Sequence, residues 1–145
     1  FKAYNDFYGF ARGDEVIKLL ARCAGQAVQQ KAGSEGFLGH IGGDDFVALL
    51  NPDLAEETAD AIIECWDSEI PRLYDDTDVS RGYIEVADRR KEMHRFPLTT
   101  VSVGIATNTN RPIRSHWEAS EIASEMKQFA KQDSGSSFAV DRRRD

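Results

Sequence analysis

The chain has 145 residues, enough for one hydrophobic core but not two. Its 41% hydrophobic and 30% charged residues suit a globular protein and exclude collagen-like, disordered and disulfide-scaffold classes. A net charge of −7 repels nucleic-acid backbones, so no nucleic-acid partner is expected. No apolar run is long enough to span a bilayer and the first residues form no signal peptide, which predicts a cytoplasmic domain without membrane contact. Cys23 and Cys65 each fall within a helical apolar pattern and read as separate buried thiols. No metal-type spacing joins them to His40, His94 or His116.

In chain order, the spacing of Val16, Ile17, Leu20, Ala24, Ala27 and Val28 predicts a helix from Asp14 to about Gln30, with Gly33 as its stop. Phe37–Ile41 and Phe46–Leu50 flank Gly42–Gly43–Asp44–Asp45 and read as a hairpin. Asn51–Pro52 starts a second helix, which presents Ala55, Ala59, Ile62, Trp66 and Ile70 on one face and ends at Pro71.

From about Tyr74 to Pro97 the pattern is that of an inserted hairpin. Asp75–Asp78 forms a polar turn, Gly82–Ala87 a strand, Asp88–Glu92 a charged turn and Met93–Phe96 the returning strand. Leu98–Ala106 alternates as a half-buried strand should. Ser115 and Glu118 carry a capping-box signature for a last helix with Ala119, Ile122, Met126, Phe129 and Ala130 inward. Phe138–Val140 can add a short strand, and 141–145 reads as a solvated end or the start of a linker. Residues 1–145 are therefore read as one α+β domain, a mostly antiparallel central sheet flanked by helices. Neither Gly-rich phosphate-binding motif is present.

The chemistry concentrates at Gly42–Gly43–Asp44–Asp45–Phe46. Two glycines permit a tight turn and close approach of a phosphate. The adjacent carboxylates repel unless they share a cation, and oxygen ligands at a hairpin tip suit magnesium. Taken alone, the segment reads first as simply a good hairpin turn.

The surroundings extend the motif. Phe1–Lys2–Ala3–Tyr4–Asn5–Asp6, Gly9 and Gly13–Asp14–Glu15–Val16 resemble the block that precedes the signature turn of GGDEF domains. Thr100–Val101–Ser102–Val103–Gly104–Ile105–Ala106 and Phe129–Ala130–Lys131 with Gly135 resemble that family's later segments. The resemblance covers the chain apart from the insertion at 74–97.

It implies a palm-like nucleotide-cyclase fold and GTP binding. Two such domains in a homodimer would condense two GTP into cyclic di-GMP, with magnesium on the phosphates. Asn5 and Asp14 would read guanine; Asp14 accepts from N1–H and the exocyclic amine, which adenine does not offer together. Both residues could instead cap the first helix. Asp44 would bind metal, Asp45 would assist metal binding or hydroxyl activation, and Gly42 and Gly43 would admit the phosphate. Lys2 and Lys131 match phosphate-proximal lysines; either is alternatively a plain surface lysine, and for Lys2 the two readings are equal.

The match has departures. The family's strand ending Asp-x-Asp, whose first aspartate is a ligand, would sit before Phe1, so this stretch alone is expected to bind magnesium weakly and not to turn over. Asp45 replaces a usual glutamate, Phe10 a frequent histidine and Ser136 a nearby arginine. The product-inhibition motif falls on Gly33–Ser34–Glu35–Gly36 and is absent. The reading is a diguanylate cyclase domain. The alternative is a degenerate GTP-binding domain that regulates an attached phosphodiesterase, sensor or other output domain.

Overall fold

A computed structural model describes residues 1–144. Eleven principal elements follow in order: α1 (Lys2–Tyr8), α2 (Phe10–Ala32), β1 (Phe37–Gly42), β2 (Asp45–Leu49), α3 (Ala55–Glu69), α4 (Asp76–Arg81), β3 (Tyr83–Ala87), β4 (Met93–Pro97), β5 (Ser102–Ile105), α5 (His116–Ala130) and β6 (Ser137–Val140). The class is α+β, as expected. The strands form three separate pairs: β1–β2 and β3–β4 are antiparallel and β5–β6 is parallel.

Local chemistry accounts for most boundaries. Asn51 Oδ1 accepts from the Asp53 amide ahead of α3. Ser115 Oγ accepts from the Glu118 amide, and the Glu118 carboxylate accepts from the Arg114 amide, so the capping box forms with its return bond one residue early. The first long helix begins at Phe10 rather than Asp14, because Gly9 at φ 91° separates it from the unforeseen α1. The supposed polar turn at Asp75–Asp78 is mostly the short helix α4, stopped by Gly82 in the left-handed region.

The core joins both halves of the chain. Tyr4, Val16, Leu19, Cys23, Trp66, Ile70, Tyr74 and Ile84 form one buried cluster; Ala24, Ala27 and Ile62 form a second. The two cysteines are not separate thiols: Cys23 and Cys65 are joined in a disulfide between α2 and α3, with Cα atoms 5.6 Å apart. Spacing along the chain gave no sign of it, since the pairing depends on how two helix faces meet. Phe129, expected inward, is 64% exposed, whereas Ile122 and Ala130 are buried. Asp141, expected in a solvated tail, is 2% exposed and accepts hydrogen bonds from Arg111 and Arg143.

The insertion supports α1. Tyr4 donates to the Leu73 carbonyl, Tyr8 donates to the Asp78 carboxylate, and both rings pack on Tyr74. Burial pushes the Tyr8 phenol up to about 12, and its bond to Asp78 adds to the shift. Arg12 lies 3.9 Å above the Tyr8 ring and pairs with Asp75 at 3.1 Å. The segment before β3 and the buried Ile84 therefore set the position of the helix that carries Lys2 and Asn5.

Candidate functional site

Gly13 decides how α1 meets α2. A Cβ at this buried position would lie 1.7 Å from Asn5 Oδ1, so only glycine lets the Asn5 amide rest on the α2 backbone. This sets Asn5 against Gly13, one residue before Asp14. Neither residue caps α2: Asn5 lies within α1, and Asp14 stands exposed in the second turn of α2. Asn5 Oδ1 is buried without a hydrogen-bond partner, a costly state for an amide oxygen and one that a ligand or a rotation of the amide would relieve.

The acidic turn is built by the other pair of glycines. Gly43 occupies the left-handed region at φ 53°, Gly42 lies at φ 155°, and Gly42 pairs with Asp45 across a register irregularity. Gly43 and Asp44 are the two central residues, so Asp44 stands at the apex with its carboxylate exposed. His40 stacks on Phe46 at 4.4 Å, and its Nε2 lies 2.8 Å from the Gly43 carbonyl, which buttresses the turn from behind.

The strand leading to the turn runs back along α2. A Cβ on Gly36 would press on Val28 and Ala32, and one on Gly25 would touch Leu38. Those two contacts show that β1 heads from the carboxyl end of α2 toward its amino-terminal half.

Helix α5 approaches from the far side. Lys127 Nζ lies 3.3 Å from Asp45 Oδ1. Gly104 permits this approach, because a Cβ there would meet the Ala123 carbonyl at 2.1 Å and the Lys127 amide at 2.4 Å. The lysine beside the acidic turn is thus Lys127, which the sequence reading missed. Lys131, one turn later, is exposed at the end of α5. Lys127 and Lys131 share an i, i+4 face, which was the available signal. Lys2 is exposed on α1. The supposed arginine position, Ser136, instead bridges the Val101 amide and Asp67.

Two contacts therefore stand out, Asn5 on Gly13 and Asp45 with Lys127. Among the described residues no hydrogen bond or ion pair connects them. Neither of two surface cavities, of about 180 and 270 Å³, is lined by Asn5, Asp14, Asp44 or Asp45.

A family model described as "Diguanylate cyclase, GGDEF domain" matches residues 1–136. The chain belongs to the GGDEF family. No curated protein and no solved structure matches it. The match makes this a diguanylate-cyclase-type domain of cyclic di-GMP signalling, and it extends across the insertion that the motif resemblance left out. The family is generally metal-dependent, and its domains generally bind GTP and act as dimers. Asp44 and Asp45 suit a hard cation in being exposed oxygen donors on a tight turn, while Lys127 competes for the second of them. No helix among the described residues is long and apolar enough to cross a membrane.

Proposed function

We propose that this domain binds GTP and serves the condensation of two GTP into cyclic di-GMP, one nucleotide being carried by each of two facing domains. The observation that supports this reading is the Asn5 amide seated on Gly13, one residue before Asp14, with its oxygen buried and unpaired. Asp14 and Asn5 read the guanine edge, which favours GTP over ATP through paired donors and acceptors. Gly42 and Gly43 would admit the phosphates; Lys127, beside Asp45, Lys131, one turn later on α5, and Lys2 would pair with them. Asp44 and Asp45 would hold magnesium, which supplies charge neutralisation on the phosphates and activation of the attacking hydroxyl.

We further propose that these 145 residues alone do not turn over. The carboxylates brought together at the turn come from a single hairpin tip, and Asp45 is one methylene shorter than glutamate and engaged by Lys127. The second reading is regulatory: a domain that binds GTP without converting it and controls an attached phosphodiesterase or other output domain. The same engagement of Asp45 favours it.

Binding titrations with GTP and ATP, repeated with Asp14→Ala, test the assignment. GTP preference that disappears in the variant supports the guanine reader; equal affinity for both nucleotides in the parent chain removes it. Turnover of GTP to cyclic di-GMP at an ordinary rate by the isolated chain would refute the second proposal.

A further inference from the structure

The β3–β4 hairpin carries a group of side chains that nucleotide chemistry does not use. Val86 pairs with His94 and Ala87 with Met93, so the register extends to Asp88 opposite Glu92. Alternation along both strands then puts Asp88, Glu92 and His94 on one face, and Glu85 and Arg95 on the other. Glu85 and Arg95 do pair there, at 3.3 Å. One imidazole nitrogen and two carboxylate oxygens from the three residues lie within 4.8 Å of one another.

The turn holds these groups in place. Asp88 Oδ1 accepts from the Arg90 and Glu92 amides, while its Oδ2 faces His94 Nε2 at 2.7 Å. The bond to His94 lowers the Asp88 carboxyl below its usual range, with the two amides contributing. Lys91 closes the turn at φ 64°. Arg89, Arg90 and Lys91 occupy the turn, yet among the described residues none forms an ion pair with Glu92. The two carboxylates and the imidazole thus stand close together, Asp88 bonded to His94 and Glu92 without an ion pair among the described residues.

We propose that Asp88, Glu92 and His94 bind a divalent transition-metal ion of the zinc type, at a site distinct from the Gly-Gly-Asp-Asp turn. One nitrogen and two oxygen ligands suit zinc, with solvent or a partner side chain completing the shell. Metal bonds of about 2.0–2.1 Å put neighbouring ligand atoms roughly 3.3 Å apart. The Asp88–His94 pair must open slightly and Glu92 must close in, which exposed side chains at a hairpin tip can do. Magnesium is disfavoured by the imidazole nitrogen. With Cys23 and Cys65 joined, no free thiol competes for the ion.

The test is a zinc titration of the whole chain against a competing chelator, with the histidine ring resonances followed by NMR. The expected result is one ion per chain with the His94 ring shifted. His94→Ala and Asp88→Asn should each weaken binding by at least about tenfold, since even supporting groups around a metal cost 10–100-fold. His40→Ala and His116→Ala should leave the affinity unchanged. Absence of zinc binding, undiminished affinity in His94→Ala, or a shift confined to the His40 or His116 ring would each overturn the site. The NMR arm reads the unsubstituted protein, so a folding defect in a variant cannot obscure the answer.

Discussion

Replacing Gly13 with alanine isolates the contact on which the guanine-reading proposal rests. In an exposed helix interior the change stabilises by about 0.5–1 kcal/mol, because alanine loses less backbone entropy. Here the new methyl would fall 1.7 Å from Asn5 Oδ1 and 2.9 Å from its Cγ, so the amide must move. Overpacking of this kind costs about 1–3 kcal/mol. The single variant should therefore be destabilised by up to about 2.5 kcal/mol once the helix gain is subtracted.

Removing the amide with Asn5→Ala eliminates the clash, and in that background Gly13→Ala should become stabilising by about 0.5–1 kcal/mol. The double-mutant cycle, measured by urea denaturation, should then show a coupling of about 1–3 kcal/mol and a reversal of sign. Gly13→Ala should also weaken GTP binding much as Asn5→Ala does, because both take the amide from its place against α2, one residue before Asp14. Additivity within about 0.5 kcal/mol would refute the packing argument and separate Asn5 from the α2 backbone.

Gly104→Ala should be more damaging than Gly13→Ala, since its Cβ meets main-chain atoms of Ala123 and Lys127 that no rotamer change can withdraw; a melt should show a loss of about 3 kcal/mol or more. Reduction of the Cys23–Cys65 bond, which closes a span of 42 residues, should cost about 4 kcal/mol by the chain-entropy relation, read as a lower denaturation midpoint with reductant. Asp141→Asn should destabilise the fold by about 3 kcal/mol near neutral pH, because Arg111 and Arg143 lose a buried partner. Burial works to raise the Asp141 carboxyl, but the bonds from Arg143 and Arg111 outweigh it and hold the group below the usual range. A depressed folded value means the contribution is present above about pH 4 and is lost as pH falls through the folded value, so the gap between variant and parent should close in acid.

The extent to which the sequence disclosed this arrangement follows from the range of each interaction. Turns and caps act over three or four residues, so the Gly42–Asp45 hairpin, the Asn51 start and the Ser115 box were all legible. The helix at Lys2–Tyr8 was not, because its stability comes from Tyr4 and Tyr8 reaching Leu73 and Asp78, about seventy positions away. Asp141 was misread for the same reason: its charge suggested solvent, yet Arg111 and Arg143 make burial tolerable. The disulfide and the exposure of Phe129 depend on which helix faces meet, and periodicity alone specifies only that a face exists.

The same reasoning bears on the acidic turn. Adjacent aspartates at a tip are unfavourable in isolation, and the sequence suggested only a metal as the remedy. The fold adds a second remedy, because Gly104 lets α5 come close enough for Lys127 to reach Asp45. An exposed pair of this kind contributes at most about 1 kcal/mol, so it does not explain the turn's stability. Its consequence is electrostatic: a cation entering at Asp45 must displace or share the carboxylate with Lys127, whereas Asp44 is free of such competition. Asp44→Ala should therefore weaken magnesium-dependent GTP binding more than Asp45→Ala. Lys127→Ala should strengthen magnesium binding at the turn while weakening GTP binding, since the lysine competes with the cation for Asp45 and, once displaced, is available to the phosphates. Parallel titrations with and without magnesium separate these effects, and a Lys127 variant that alters neither would leave the ion pair without a role at the turn.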